Sequence, residues 1–121
     1  MPLPLLRQCR IYWLVQTVVE TAAYLAAAKD AGMTEAEREL AILTLAANPQ
    51  AGDLIQGTGG CRKLRIAGRG KGKSGGYRVI TFFARPSQPV YLLTVFSKGE
   101  RSDLSPKEKT ALAAVAKAIV R

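Results

Sequence analysis

Between Arg62 and Arg78 the segment CRKLRIAGRGKGKSGGYR carries seven lysines and arginines and no acid. Cations this dense repel one another unless a polyanion faces them, so the chemistry they suit is gripping a nucleic-acid backbone. A strand sends successive side chains to opposite faces. With that period Leu64 and Ile66 share one face and Lys63 and Arg65 the other, which predicts a sheet with an apolar side for helices and a cationic side. Arg78 opens the next strand-like run and Lys98 follows the last one. Paired as a meander, these runs would bring Lys63, Arg65, Arg78 and Lys98 together in a groove roofed by the loop from Arg69 to Lys73. Arg62, Arg69, Lys71, Lys73 and Arg101 are further candidate contacts, and Tyr77 and Tyr91 are rings that either stack on a base or fill the core. Alternating strand charges also suit a plain solvated face, which is the competing reading of the same pattern.

The chain has no histidine. If the polyanion is RNA, a lysine held partly neutral by neighbouring cations can still activate a ribose 2′-OH, and Lys63 beside Arg65 and Arg78 meets that condition. The arginines would stabilise charge growing on a phosphorane-like transition state, another cation would assist the leaving 5′-oxygen, and no metal or other cofactor is required. Two nucleotide-binding patterns in the glycine run are set aside. Gly70, Gly72 and Gly75 satisfy G-x-G-x-x-G, and Gly72-Lys73-Ser74 resembles the end of a P-loop. Either motif should open a helix, whereas YRVITFF reads as a strand.

The elements that must position these groups can be read from caps and breakers. A β-branched run, Val15 to Val19, predicts a first strand, followed by a helix that Thr21 caps and Gly32 ends. Thr34 and Glu37 form a capping box for a second helix that Asn48 and Pro49 stop. From Ala51 to Gly60 the glycines predict a loop. Strands are expected at Cys61 to Ala67, Tyr77 to Ala84 and Val90 to Ser97, and Ser105, Pro106 and Glu108 open a last helix running through Ile119. The predicted class is α+β: a small antiparallel sheet, a three-strand meander plus an N-terminal edge strand, with two N-terminal helices and one C-terminal helix. Leu40, Leu43, Leu112 and Val115 are its core candidates.

Length and composition agree with one domain over residues 1–121, since 121 residues at 48% hydrophobic content suffice for a modest core. Charge is divided unevenly. Residues 1–60 carry 4 basic and 6 acidic groups and residues 61–121 carry 14 and 3, which together give the net +9. Cys9 and Cys61 are too few for a disulfide framework and lack metal-ligand spacing, which argues for a reducing cytoplasm. The apolar N-terminus is interrupted by Arg7, Arg10, Gln16 and Glu20, so no stretch reaches the roughly 18 residues a membrane span needs. Residues 1–14 are read as an extension, or as the product of a start codon placed too early.

One further pattern is more specific than any of these. The order N-P-x-x-G-D-x-I-x-G-T-G-G, R-K-x-R, G-K-G-K-x-G-G-x-R and Y-L-L-T, ending in K-x-E-x-x-D-L-S, resembles the HigB branch of the RelE/ParE superfamily of type II toxins, over about residues 18–120. That resemblance implies a RelE-like toxin that enters the ribosomal A site and cuts mRNA during translation. Its implied partners are mRNA and rRNA on the ribosome and a HigA-like helix-turn-helix antitoxin, through which the complex binds operator DNA. Residue by residue, Lys63 and Arg65 match the basic positions of the strand after the glycine loop, Arg78 the arginine after Gly-Gly-aromatic, and Lys98 the basic position after the last strand. Where some RelE relatives have an arginine and a tyrosine, this chain has Gly99 and Ser105. Two other readings stay open: an RNA- or ribosome-binding module without catalysis, and a ParE-like poison of DNA gyrase.

Overall fold

A computed structural model describes residues 16–68, 76–97 and 103–120. Its elements, in chain order, are β1 (Val18–Glu20), α1 (Ala22–Ala31), α2 (Glu35–Ala47), β2 (Asp53–Leu54), β3 (Cys61–Ile66), β4 (Tyr77–Phe82), β5 (Val90–Ser97) and α3 (Pro106–Val120). The fold is α+β, as expected, and the caps fall where the sequence puts them. The Thr21 hydroxyl accepts the Tyr24 N–H, and Gly32, at φ 79°, ends α1 in the left-handed region. Thr34 and Glu37 close a reciprocal capping box on α2, and Asn48 ends it. Ser105 and Glu108 exchange the same two bonds at the start of α3, at 2.8 and 3.2 Å.

The strands form one sheet in the order β1-β5-β4-β3-β2. The meander β3-β4-β5 is antiparallel as expected. Two details differ from expectation. β1 is an edge strand but runs parallel to β5, Val18 opposite Val90, so the sheet is mixed. Two helices and three strands separate β1 from β5 in the chain, so no tight hairpin obliges the pair to run antiparallel. The glycine stretch also holds the two-residue strand β2, pairing Asp53 with Lys63 and Leu54 with Arg62. Val15, where the first strand was expected to begin, lies outside the described residues.

Each face of the sheet has its own core. Tyr24, Ala28, Met33, Ala41 and Leu45 of the first two helices and the loop between them pack on Leu64, Ile66, Tyr77, Val79, Leu92 and Val95. On the other face Leu112 and Ala116 of α3 pack with Cys61, Ile80, Phe82, Leu93 and Phe96. Of the four core candidates only Leu112 is buried. Leu40, Leu43 and Val115 are 47%, 62% and 43% exposed. The stripe that α2 buries is Glu37, Ala41 and Leu45, four residues apart, because the small Ala41 lets the helix lie close to the sheet. Among the described residues no helix is long and apolar enough to cross a membrane.

Candidate nucleic-acid interface

The alternation of β3 decides where the cations go. Cys61, Lys63 and Arg65 point to the α3 face, and α3 covers the Cys61 end of it. The other end is left to charge. There Arg65 lies directly opposite Arg78, and Lys63 opposite Ile80 on one side and Asp53 on the other. Lys63, Arg65, Arg78, Gly52 and Asp53 line a groove of about 390 Å³. Gly52 in its wall, and Gly76 just ahead of β4, permit close backbone approach. At Gly52 (φ +98°) a Cβ would meet the Lys63 carbonyl oxygen at 2.6 Å, and at Gly76 (φ +107°) it would meet that of Ile66 at 2.8 Å.

Arg78 is only 7% exposed, while Arg65 is exposed. Burial lowers the pKa of Arg78, and the like charge of Arg65 lowers it further. Among the described residues neither arginine is in an ion pair. An anion seated between them would relieve both penalties, which is how a fixed pair of guanidinium groups selects a phosphate. Lys63 differs: its Nζ lies 3.5 Å from Asp103 Oδ1. That carboxylate also accepts the Leu104 N–H at 2.7 Å. This backbone bond first, then the charges of Lys63 and Lys109, hold its carboxyl below the usual aspartate range. The crowding by cations expected at Lys63 is therefore found at Arg78, and the partner of Lys63 is an acid.

The remaining candidates separate. Tyr77 is fully buried in the core on the opposite face, and its hydroxyl donates to the Gly32 carbonyl at 3.2 Å. Burial, then the Glu37 carboxylate, raises its pKa. It presents no ring to a base, because the residue before Arg78 must point away from the cations. Tyr91 packs against the α3-side core. Arg62, one residue before Lys63, also turns to the other face and donates to the Gly52 carbonyl at 3.0 Å. Arg69, Lys71, Lys73, Lys98 and Arg101, with the loop roof, lie outside the described residues. Sequence reasoning gave no role to Asp53 or Asp103. The D-L-S motif contained Asp103, but only the fold brings it to Lys63.

A sheet walled by two helices on one face, and on the other by one helix beside a cationic cleft, defines the class: a small α+β protein with its cations gathered at one end of one sheet face. Residues 16–121 match the family model described as the RelE toxin of the RelE/RelB toxin-antitoxin system, and the chain belongs to that family.

Proposed function

We propose that this chain is the toxin of a type II toxin-antitoxin pair, of the HigB branch, and that it cuts mRNA in the A site of the cytoplasmic ribosome without a metal. The observation that carries the reading is the couple Arg65–Arg78, in no ion pair among the described residues, in a groove of about 390 Å³. In the reaction the ribose 2′-oxygen attacks phosphorus and the bond to O5′ breaks, leaving a 2′,3′-cyclic phosphate and a 5′-hydroxyl. Arg65 and Arg78 stabilise the charge that builds on the phosphorane oxygens. Lys63, 3.5 Å from Asp103, gives a proton to the leaving O5′, and Asp103 takes the proton of the 2′-OH. A transfer within the pair then restores both groups. Lys98 and the cations Arg69, Lys71, Lys73 and Arg101 extend the grip on mRNA and rRNA. A carboxylate held at low pKa is a weak base, so ribosomal positioning of the mRNA has to supply much of the acceleration. The partner is a HigA-like helix-turn-helix antitoxin, and the complex reaches operator DNA through it.

The test is primer extension on a defined mRNA with purified protein, alone and on programmed ribosomes, for the wild type and Arg78→Ala. New 5′ ends inside the A-site codon, present only with ribosomes and lost in the variant, are expected. Intact mRNA in every lane from folded protein would sink this reading; ribosome binding that persists would then indicate a module without catalysis, and DNA damage in cells would point to gyrase.

A further inference from the structure

We infer that a second cationic hollow, at the far end of the β3–β4 ribbon, is an RNA-backbone contact in which Arg62 and Arg85 bind phosphate; the inference rests on the ribosomal reading above. The hollow has a volume of about 340 Å³ and is lined by Arg62, Arg85, Gln50, Phe83 and Val120 among others. Alternation sends Arg62 to the face opposite Lys63, so it does not serve the cleft. Its guanidinium is fixed by the Gly52 carbonyl at 3.0 Å. Arg85, beyond the end of β4, donates to the Val120 carbonyl at the C-terminal end of α3, at 3.4 Å. Both anchors are neutral oxygens that orient the forks without cancelling their charge, and among the described residues no acid lines the hollow. Each guanidinium has five N–H donors, so donors remain for a phosphate.

RNA fits this lining better than an acidic peptide does. Besides two forks for phosphate the hollow offers the half-buried Phe83 ring for a base face and the Gln50 amide for a base edge. An acidic peptide would need the charges alone. The pair Cys61 and Phe82, beside the hollow, lies four residues along the ribbon from Arg65 and Arg78. That is roughly 14 Å at strand spacing, so the two sites hold different phosphates.

The experiment compares wild type, Arg62→Gln/Arg85→Gln and Arg62→Lys/Arg85→Lys. Glutamine removes the charge and keeps a neutral, polar side chain; lysine restores the charge. Binding to ribosomes programmed with mRNA carrying a deoxyribose at the cleaved position is measured over a range of salt, and single-turnover cleavage at saturating ribosomes. For the glutamine pair, affinity is expected to fall about tenfold or more and the salt slope to shrink by about 2, with saturated cleavage within about twofold. The lysine pair should recover most of the slope. Unchanged affinity and slope in the glutamine pair would overturn the inference, as would a lysine pair as weak as the glutamine pair. Wild type that binds with the expected slope difference but never cleaves would leave this site standing and remove the nuclease reading.

Discussion

Arg65 and Arg78 are register partners across the β3–β4 ribbon, on one face of the sheet, and among the described residues neither is in an ion pair. Like charges directly opposite in a sheet destabilise it, and here one of them is also buried. The fold carries that cost at its cleft, where a bound phosphate would offset it.

Removing one of these charges should therefore separate stability from function. Arg78→Met keeps an unbranched side chain beside Phe96 and relieves the repulsion, so the melting temperature should be no lower than that of the wild type. Cleavage on ribosomes should fall by about 10²-fold or more, the scale for losing a charge-stabilising donor. Thermal melts and primer extension on the same preparation check both halves. A variant several degrees less stable would mean that Arg78 is chiefly structural.

The close approach of β2 to β3 depends on glycine. Gly52→Ala places a methyl 2.6 Å from the Lys63 carbonyl at a positive φ, whereas at Gly57 (φ +82°) nothing lies within 4 Å. Gly57→Ala should cost about 1 kcal/mol of backbone strain, and Gly52→Ala clearly more, because the strand pairing has to shift. Urea midpoints of the two variants give the order directly. Equal values would mean that β2 yields freely.

Local chemistry carried much of this fold into the sequence. Thr21, Gly32, Thr34, Glu37, Ser105 and Glu108 mark helix ends through bonds to their own neighbours, and they could be read without knowing the fold. Lys63 and Arg65 were placed on one face by a period of two. What depends on distant partners was not readable. The parallel pairing of β1 needs β5, the two residues of β2 are strand only because β3 lies beside them, and Asp103 meets Lys63 from 40 positions away. The apolar run Leu40-Ala41-Ile42-Leu43 gives α2 no clear inner side, and residue size pointed to the wrong one.

The two faces of α2 differ in what truncation costs. Leu45 is fully buried and Leu43 is 62% exposed, two positions apart on one helix. Leu45→Ala should cost about 2–5 kcal/mol, and Leu43→Ala should stay within about 0.5 kcal/mol of the wild type. Denaturant unfolding of both resolves a difference of this size, and a reversed order would contradict the packing of α2.

At alkaline pH the first helix should report its buried phenol. Burial, then the charge of Glu20, pushes Tyr24 from 10.0 up to about 12, with Arg38 pulling the other way. Because the folded chain holds this proton more tightly than the unfolded one, the stabilisation is complete below pH 10.0 and is lost as the pH rises through about 12. A shift of this size corresponds to something on the order of 2 kcal/mol. Tyr24→Phe should flatten much of the stability loss over that interval. Tyr77, also raised, keeps part of it. Urea midpoints below pH 10.0 and near pH 12 would show it, and identical pH profiles for the two proteins would rule the phenol out.

Asp103 separates a structural ion pair from a catalytic one. Its side chain is 53% exposed, so as a surface pair with Lys63 it contributes little to stability. What it does contribute is present above the ordinary aspartate value of 3.8 and disappears as the pH falls through the lower value of the folded chain. Asp103→Asn should therefore unfold much like the wild type at neutral pH. If the carboxylate takes the 2′-OH proton, the same variant should lose about 10²-fold or more in single-turnover cleavage. Its affinity for programmed ribosomes should hold or rise, since a negative charge has left the edge of a cleft that binds phosphate. Cleavage within twofold of the wild type would return Asp103 to the role of a counter-ion and require another group to accept the proton.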